Sequence, residues 1–174
     1  AADGIASVVI PDPDAPGRRS LLARGLEEPA ALGPTVPTAD APRSAQRARQ
    51  ALALAREGLL PADGLVICDD HLLDLLVHRD EALLEDVRRR ALAPLEELRG
   101  TTRGRLEDTL RAYLDHAGRM EPTAHALGVH PQTVRYRVSQ LRDLLGAALD
   151  TADGRLMLAV ALRARDRRSR DRVR

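Results

Sequence analysis

Phenylalanine, tryptophan and lysine are absent from the 174 residues, while tyrosine occurs twice and cysteine once. Without large aromatic rings a core has to be built from Leu, Val and Ala, which favours helices over a β-sandwich. The single Cys68 excludes an intramolecular disulfide and supplies no thiolate set for a metal, in keeping with a reducing compartment and an expected cytoplasmic location. No apolar run approaches the roughly 20 residues of a membrane-spanning helix. The opening AADGIASVVIPDP lacks the basic region and hydrophobic segment of a signal peptide. It also lacks an initiating Met, so a piece of a longer protein is expected. The use of arginine for every basic side chain reads as coding preference rather than mechanism.

What is present suffices for a core: 44% of residues are hydrophobic, and the length allows one large domain or two small ones. The formal charge of +1 conceals an asymmetry. Residues 1–104 hold thirteen arginines against seventeen acids, net −4, and residues 105–174 hold fourteen against nine, net +5. Only the second half has an electrostatic preference for polyanions. Part of that excess lies in the tail RARDRRSRDRVR after Leu162, which suits either phosphate contact or a solvated, frayed end.

Residues 120–145 read as two short helices around a tight turn. The first carries Met120, Ala124 and Leu127 inward, Gly128 supplies a left-handed exit, and Val129 plugs the turn. Pro131 suits the first position of the second helix, where its missing N–H has no partner to lose. Val134, Val138, Leu141 and Leu145 form one stripe, which sends Gln132, Tyr136, Ser139 and Asp143 to the far side, with Thr133, Arg135 and Gln140 on the flanks. Any surface helix has a polar face. The preceding short helix and the Gly-Val turn are what favour a helix-turn-helix, whose amides, hydroxyls and guanidinium read base edges and grip phosphate.

The run TLRAYL (Thr109, Leu110, Arg111, Ala112, Tyr113, Leu114), followed by Thr123, Ala126, Leu127, Val129, His130, Thr133, Val134, Arg135, Tyr136 and Arg137, resembles the C-terminal DNA-binding domain of PucR/CdaR-type bacterial transcription regulators. The resemblance implies a sequence-specific DNA-binding regulator acting on double-stranded DNA, with an effector of unknown identity; the few candidate base readers on one helix make a homodimer or higher homo-oligomer the expected assembly. Candidate DNA contacts are His130, Gln132, Thr133, Arg135, Tyr136, Arg137, Ser139 and Gln140. The family usually has Arg-Asn after the histidine, where this chain has Pro131 and Gln132. Loss of that arginine is what favours the alternative, a protein–protein interaction or dimerisation module that keeps the helical fold without DNA affinity.

Upstream the pattern turns to strand–helix alternation. Residues 5–10 are a β-branched run closed by Pro-Asp-Pro, residues 20–24 can begin a helix, and Thr35 and Val36 lie in an extended segment. Residues 44–56 are an amphipathic helix ended by Gly58. Residues 65–68 read as a short buried strand after the turn Ala62-Asp63-Gly64, and Asp70 is placed to cap a helix through Val77. This order resembles the tail of the degenerate GGDEF-like domain found before the reader in the same family. Active cyclases of that class carry a Gly-Gly-acid-Glu-Phe turn, whereas this chain has neither Phe nor a Gly-Gly pair, so no enzyme activity, catalytic residue or cofactor is expected.

Residues 80–98 form an amphipathic helix with Leu84, Val87, Ala91, Leu95 and Leu98 on one side and a break or kink expected near Ala93, before Pro94. Its stripe suits packing or a dimer contact. No metal site is expected. Asp69 and Asp70 are adjacent and point apart, and the turn between His125 and His130 separates that pair, so His130 reads as a cap-region residue instead. The expected architecture is a residual α/β domain over residues 1–78, a connecting helix and linker over 79–104, and an all-α helix-turn-helix domain over 105–174, mainly helical overall.

Overall fold

The computed structural model describes residues 5–24, 26, 28–61 and 64–171, with side chains of the last helix described to residue 164. The chain is mainly helical and forms two compact units, one up to Arg79 and one spanning Asp80–Arg168.

In the first unit, α1 (Arg18–Arg24) precedes β1 (Ala30–Leu32), α2 (Ala41–Arg56), β2 (Leu65–Ile67) and α3 (Leu72–Val77). The two strands pair in parallel, Ala31 opposite Val66, with α2 as the crossover that a parallel pair requires. Ala51, Leu54 and Ala55 of α2 close on Leu60, Val66, Cys68 and Leu75. Gly58 ends α2 as its position suggests: its φ is +73°, and the next amide, Leu59 N–H, reaches back to the Leu54 carbonyl at 2.8 Å.

Two expectations for this unit, the strand at residues 5–10 and the Asp70 cap, are corrected. Residues 5–10 form no strand, and Val8 and Val9 are 80% exposed, because β-branched residues become a strand only where an edge accepts them. Thr35 and Val36 belong to no strand, bracketed by Pro34 and Pro37, which have no N–H to give a ladder. Asp70 caps nothing: it sits in a 3-10 turn, Cys68–His71, and His71 stands at the start of α3 without a side-chain cap bond. Ala62 and Asp63, part of the expected turn, lie outside the described residues.

The second unit holds α4 (Glu81–Glu96), α5 (Thr101–Asp115), α6 (Met120–Leu127), α7 (Pro131–Leu145) and α8 (Ala152–Asp171). Asp80 caps α4, its carboxylate accepting from Leu83 N–H at 2.9 Å. The helix continues through Pro94 to Glu96 rather than breaking at Ala93. Its apolar stripe is not free for a partner. Leu92 and Leu95 are fully buried in one core with Leu106, Leu110, Tyr113, Val134, Val138 and Leu141, and Val87, Ala91 and Leu98 pack against that core. Leu158, Ala161 and Leu162 of α8 complete it.

A buried guanidinium fixes this unit further. Arg88, 6% exposed, donates to both carboxylate oxygens of Glu85 at 2.7 and 2.8 Å and also pairs with Glu96. Arg103 of α5 lies 3.7 Å from Glu96 and donates to Glu107 at 3.0 Å, so α4 and α5 share one chain of alternating charges. Hydrogen bonds to Glu85 hold the Arg88 guanidinium even more firmly protonated than usual, against the opposing effect of burial.

Candidate nucleic-acid interface

The turn between α6 and α7 is built by backbone geometry. Gly128 sits in the left-handed region, φ +62° and ψ +33°. Its N–H reaches His125 O at 3.2 Å, and Val129 N–H reaches Ala124 O at 3.0 Å. These are the paired bonds that close a helix whose last carbonyls would otherwise be unsatisfied. Val129 then packs against the core to which Ala124 belongs. Two residues later α7 begins: His130 Nδ1 accepts from Gln132 N–H at 3.2 Å, and Pro131 takes the first turn.

The entrance to α6 is also local. Residues 116–118 turn through two positive φ values, +51° at Ala117 and +77° at Gly118. Gly118 N–H bonds Tyr113 O at 2.8 Å, and a Cβ on Gly118 would come within 3.2 Å of the Tyr113 hydroxyl. Arg119 precedes α6 without a side-chain cap bond, and Pro122 falls in the first turn, where no intrahelical bond is lost. Thr123 is wholly buried, its hydroxyl donating to Arg119 O at 2.7 Å.

With Val134, Val138 and Leu141 buried, α7 turns the opposite face to solvent. His130, Gln132, Arg135, Tyr136 and Ser139 are exposed, and Thr133 and Gln140 are half-buried at its edges. Two contacts tie side chains along this face: Arg135 donates to Gln132 Oε1 at 3.3 Å, and Gln140 Nε2 donates to the Tyr136 hydroxyl at 3.3 Å. The arrangement offers donors, acceptors and the exposed Arg135 guanidinium on a convex ridge, the chemistry that major-groove base edges require.

Arg137 is the candidate residue the fold does not bring to this ridge. It is half-buried, and its guanidinium donates to Thr109 Oγ1 of α5 at 3.3 Å. Thr109 is fully buried and itself donates to Arg105 O at 2.7 Å. Arg137 is a candidate through the family motif, and helical spacing could not reveal the hydroxyl waiting on another helix. Asp143 is the converse case: it is exposed on the same face as Tyr136. His125 is exposed in the last turn of α6, on the other side of the turn from His130. From residue 165 onward the side chains of the arginine tail lie outside the described residues.

Residues 106–164 match the family of PucR C-terminal helix-turn-helix domains. The match begins in α5 and ends in α8, so it takes in the α6–turn–α7 pair together with α5 and part of α8, but not α4, which also packs on the apolar side of α7. An uncharacterised protein of Mycobacterium tuberculosis is 33% identical over 129 residues, which is 74% of this chain and 30% of that protein. A Mycobacterium bovis protein, also described as uncharacterised, matches to the same extent. An uncharacterised protein from the 5′ region of pkwA in Thermomonospora curvata is 39% identical over 90 residues, 52% of this chain and 48% of that one. This chain therefore spans about three-tenths of the length of its mycobacterial relatives. Among the described residues, no helix is long and apolar enough to cross a membrane.

Proposed function

We propose that this protein is a sequence-specific, DNA-binding transcription regulator that lays α7 in the major groove. The observation that carries this reading is the exposed polar ridge of α7, mounted on a buried apolar side and preceded by a left-handed turn within a PucR-type domain. Arg135 is the residue for guanine or an adjacent phosphate, Gln132 and Gln140 can address base edges, and Thr133, Tyr136, Ser139 and His130 serve the backbone. Arg137 acts on DNA through the position of α7, given its bond to Thr109.

We infer further that the first unit is a remnant of a GGDEF-like domain without enzymatic activity. The β1–α2–β2 crossover supports the likeness, and the missing Gly-Gly pair and Phe argue against nucleotide chemistry. Calorimetry with GTP and magnesium should give no heat; a saturable signal would reopen the cyclase reading. In this account the protein works in the cytoplasm on double-stranded DNA.

Selection of bound sequences from random duplex DNA by the full chain tests the central reading. Recovery of a defined motif is the expected result. Failure to enrich any sequence at low salt would favour a protein-interaction module instead, the reading that the replacement of Arg-Asn by Pro131-Gln132 supports.

A further inference from the structure

Asp143 is the one exposed side chain of the α7 ridge whose chemistry opposes a polyanion. At about 100° per residue, Tyr136 and Asp143 fall opposite the centre of the buried Val134, Val138 and Leu141 stripe. Asp143 is thus at the crest of the ridge and not on its flank. It stands about 16 Å along the axis from Gln132, three turns on.

Among the described residues nothing accounts for a carboxylate there. The last turn of a helix carries partial negative charge, so an acid in it is unfavourable. The positions a turn away, Ser139, Gln140, Gly146 and Ala147, bring no cation. The neighbouring Arg142 is directed to Asp150, 3.6 Å from its carboxylate, and among the described residues no salt bridge reaches Asp143.

We propose that Asp143 is a specificity-determining residue that suppresses non-specific DNA binding. This rests on α7 being the DNA reader. Non-specific binding is carried almost wholly by phosphate contacts, and a carboxylate on the reading ridge opposes them in every register. In the cognate register the cost is offset, because a carboxylate can accept from an exocyclic amino group of a base, such as N4 of cytosine. The N-terminal turns of α7, with Gln132, Arg135 and Tyr136, then supply affinity, and the Asp143 end supplies discrimination.

The test compares the full chain with Asp143→Asn by fluorescence anisotropy. Two duplexes of equal length are used, one selected from random DNA by the unaltered protein and one scrambled, across a salt series. Asp143→Asn should bind the scrambled duplex roughly three- to tenfold tighter at low salt, with a salt dependence steeper by up to about one unit. It should gain less on the selected duplex, so that the ratio between the two falls. Its thermal midpoint should hold or rise, which separates the effect from misfolding. Unchanged or weaker binding to the scrambled duplex, or an equal gain on both, would overturn the proposal. Binding of the unaltered protein to neither duplex would overturn the DNA reading itself.

Discussion

Arg135 and Arg137 are two residues apart in sequence and have different tasks. Arg135 is exposed and steadied only by Gln132, while Arg137 is half-buried and bonded to a buried threonine hydroxyl. Arg137→Ala should therefore lower stability by about 1 kcal/mol, the usual worth of one hydrogen bond to a part-buried group, and Arg135→Ala by far less. Urea denaturation of both variants distinguishes them; equal loss would contradict the assignment. Cys68 gives a second residue-level expectation. Burial, with a smaller contribution from the charge of Asp69, pushes its thiol from 9.0 up to about 11. Below pH 9 the thiol is neutral whether the chain is folded or not. As pH rises from about 9 toward 11 the unfolded thiol ionises while the folded one stays protonated, so stability falls across that window. Denaturation at pH 8 and 10.5 should show a fall that is smaller in Cys68→Ala; an identical fall in both would show that the thiol does not contribute.

The turns that bracket α6 make opposite use of the same backbone conformation. Gly128 occupies the left-handed region with no atom within 4 Å of an added Cβ, so Gly128→Ala meets backbone strain alone and should cost about 1 kcal/mol. Ala117 holds a comparable φ of +51° with a side chain already in place, and Ala117→Gly should stabilise by about 0.5 kcal/mol. Thermal melts of the two variants should move in opposite directions, and a drop in both would show that flexibility rather than φ governs these turns. The Gly128 turn was legible because glycine followed by Val and His-Pro leaves few alternatives. The apolar stripe of α7 was legible because four residues repeat at helical spacing. Three-residue β1 was not, since Ala30, Ala31 and Leu32 have no strand signature and owe their form to Leu65–Ile67 alongside them. Nor could spacing say that the α4 stripe faces α5 and α7 rather than a second molecule. A stripe records that a face is covered, while what covers it depends on pairing across the chain.

At the scale of the whole molecule, one α7 ridge acting as the proposed reader would touch only a few base pairs, too few for useful specificity over a genome. Two readers on one DNA are therefore expected, with a palindromic site and half-sites about 34–36 Å apart. Because Val87, Leu95 and Leu98 are engaged in the core of their own unit, a contact between copies would lie elsewhere than on that face of α4. Light scattering with footprinting should find two copies protecting a repeated half-site, and a monomer protecting one unrepeated half-site with full affinity would defeat the expectation. The central claim, that α7 reads DNA through its exposed ridge, is tested most directly by titrating the full chain and Arg135→Ala against the selected duplex. The account predicts a loss of roughly 1–3 kcal/mol with an unchanged fold if Arg135 pairs with guanine. Equal affinity and an equal salt slope for the two proteins would contradict it.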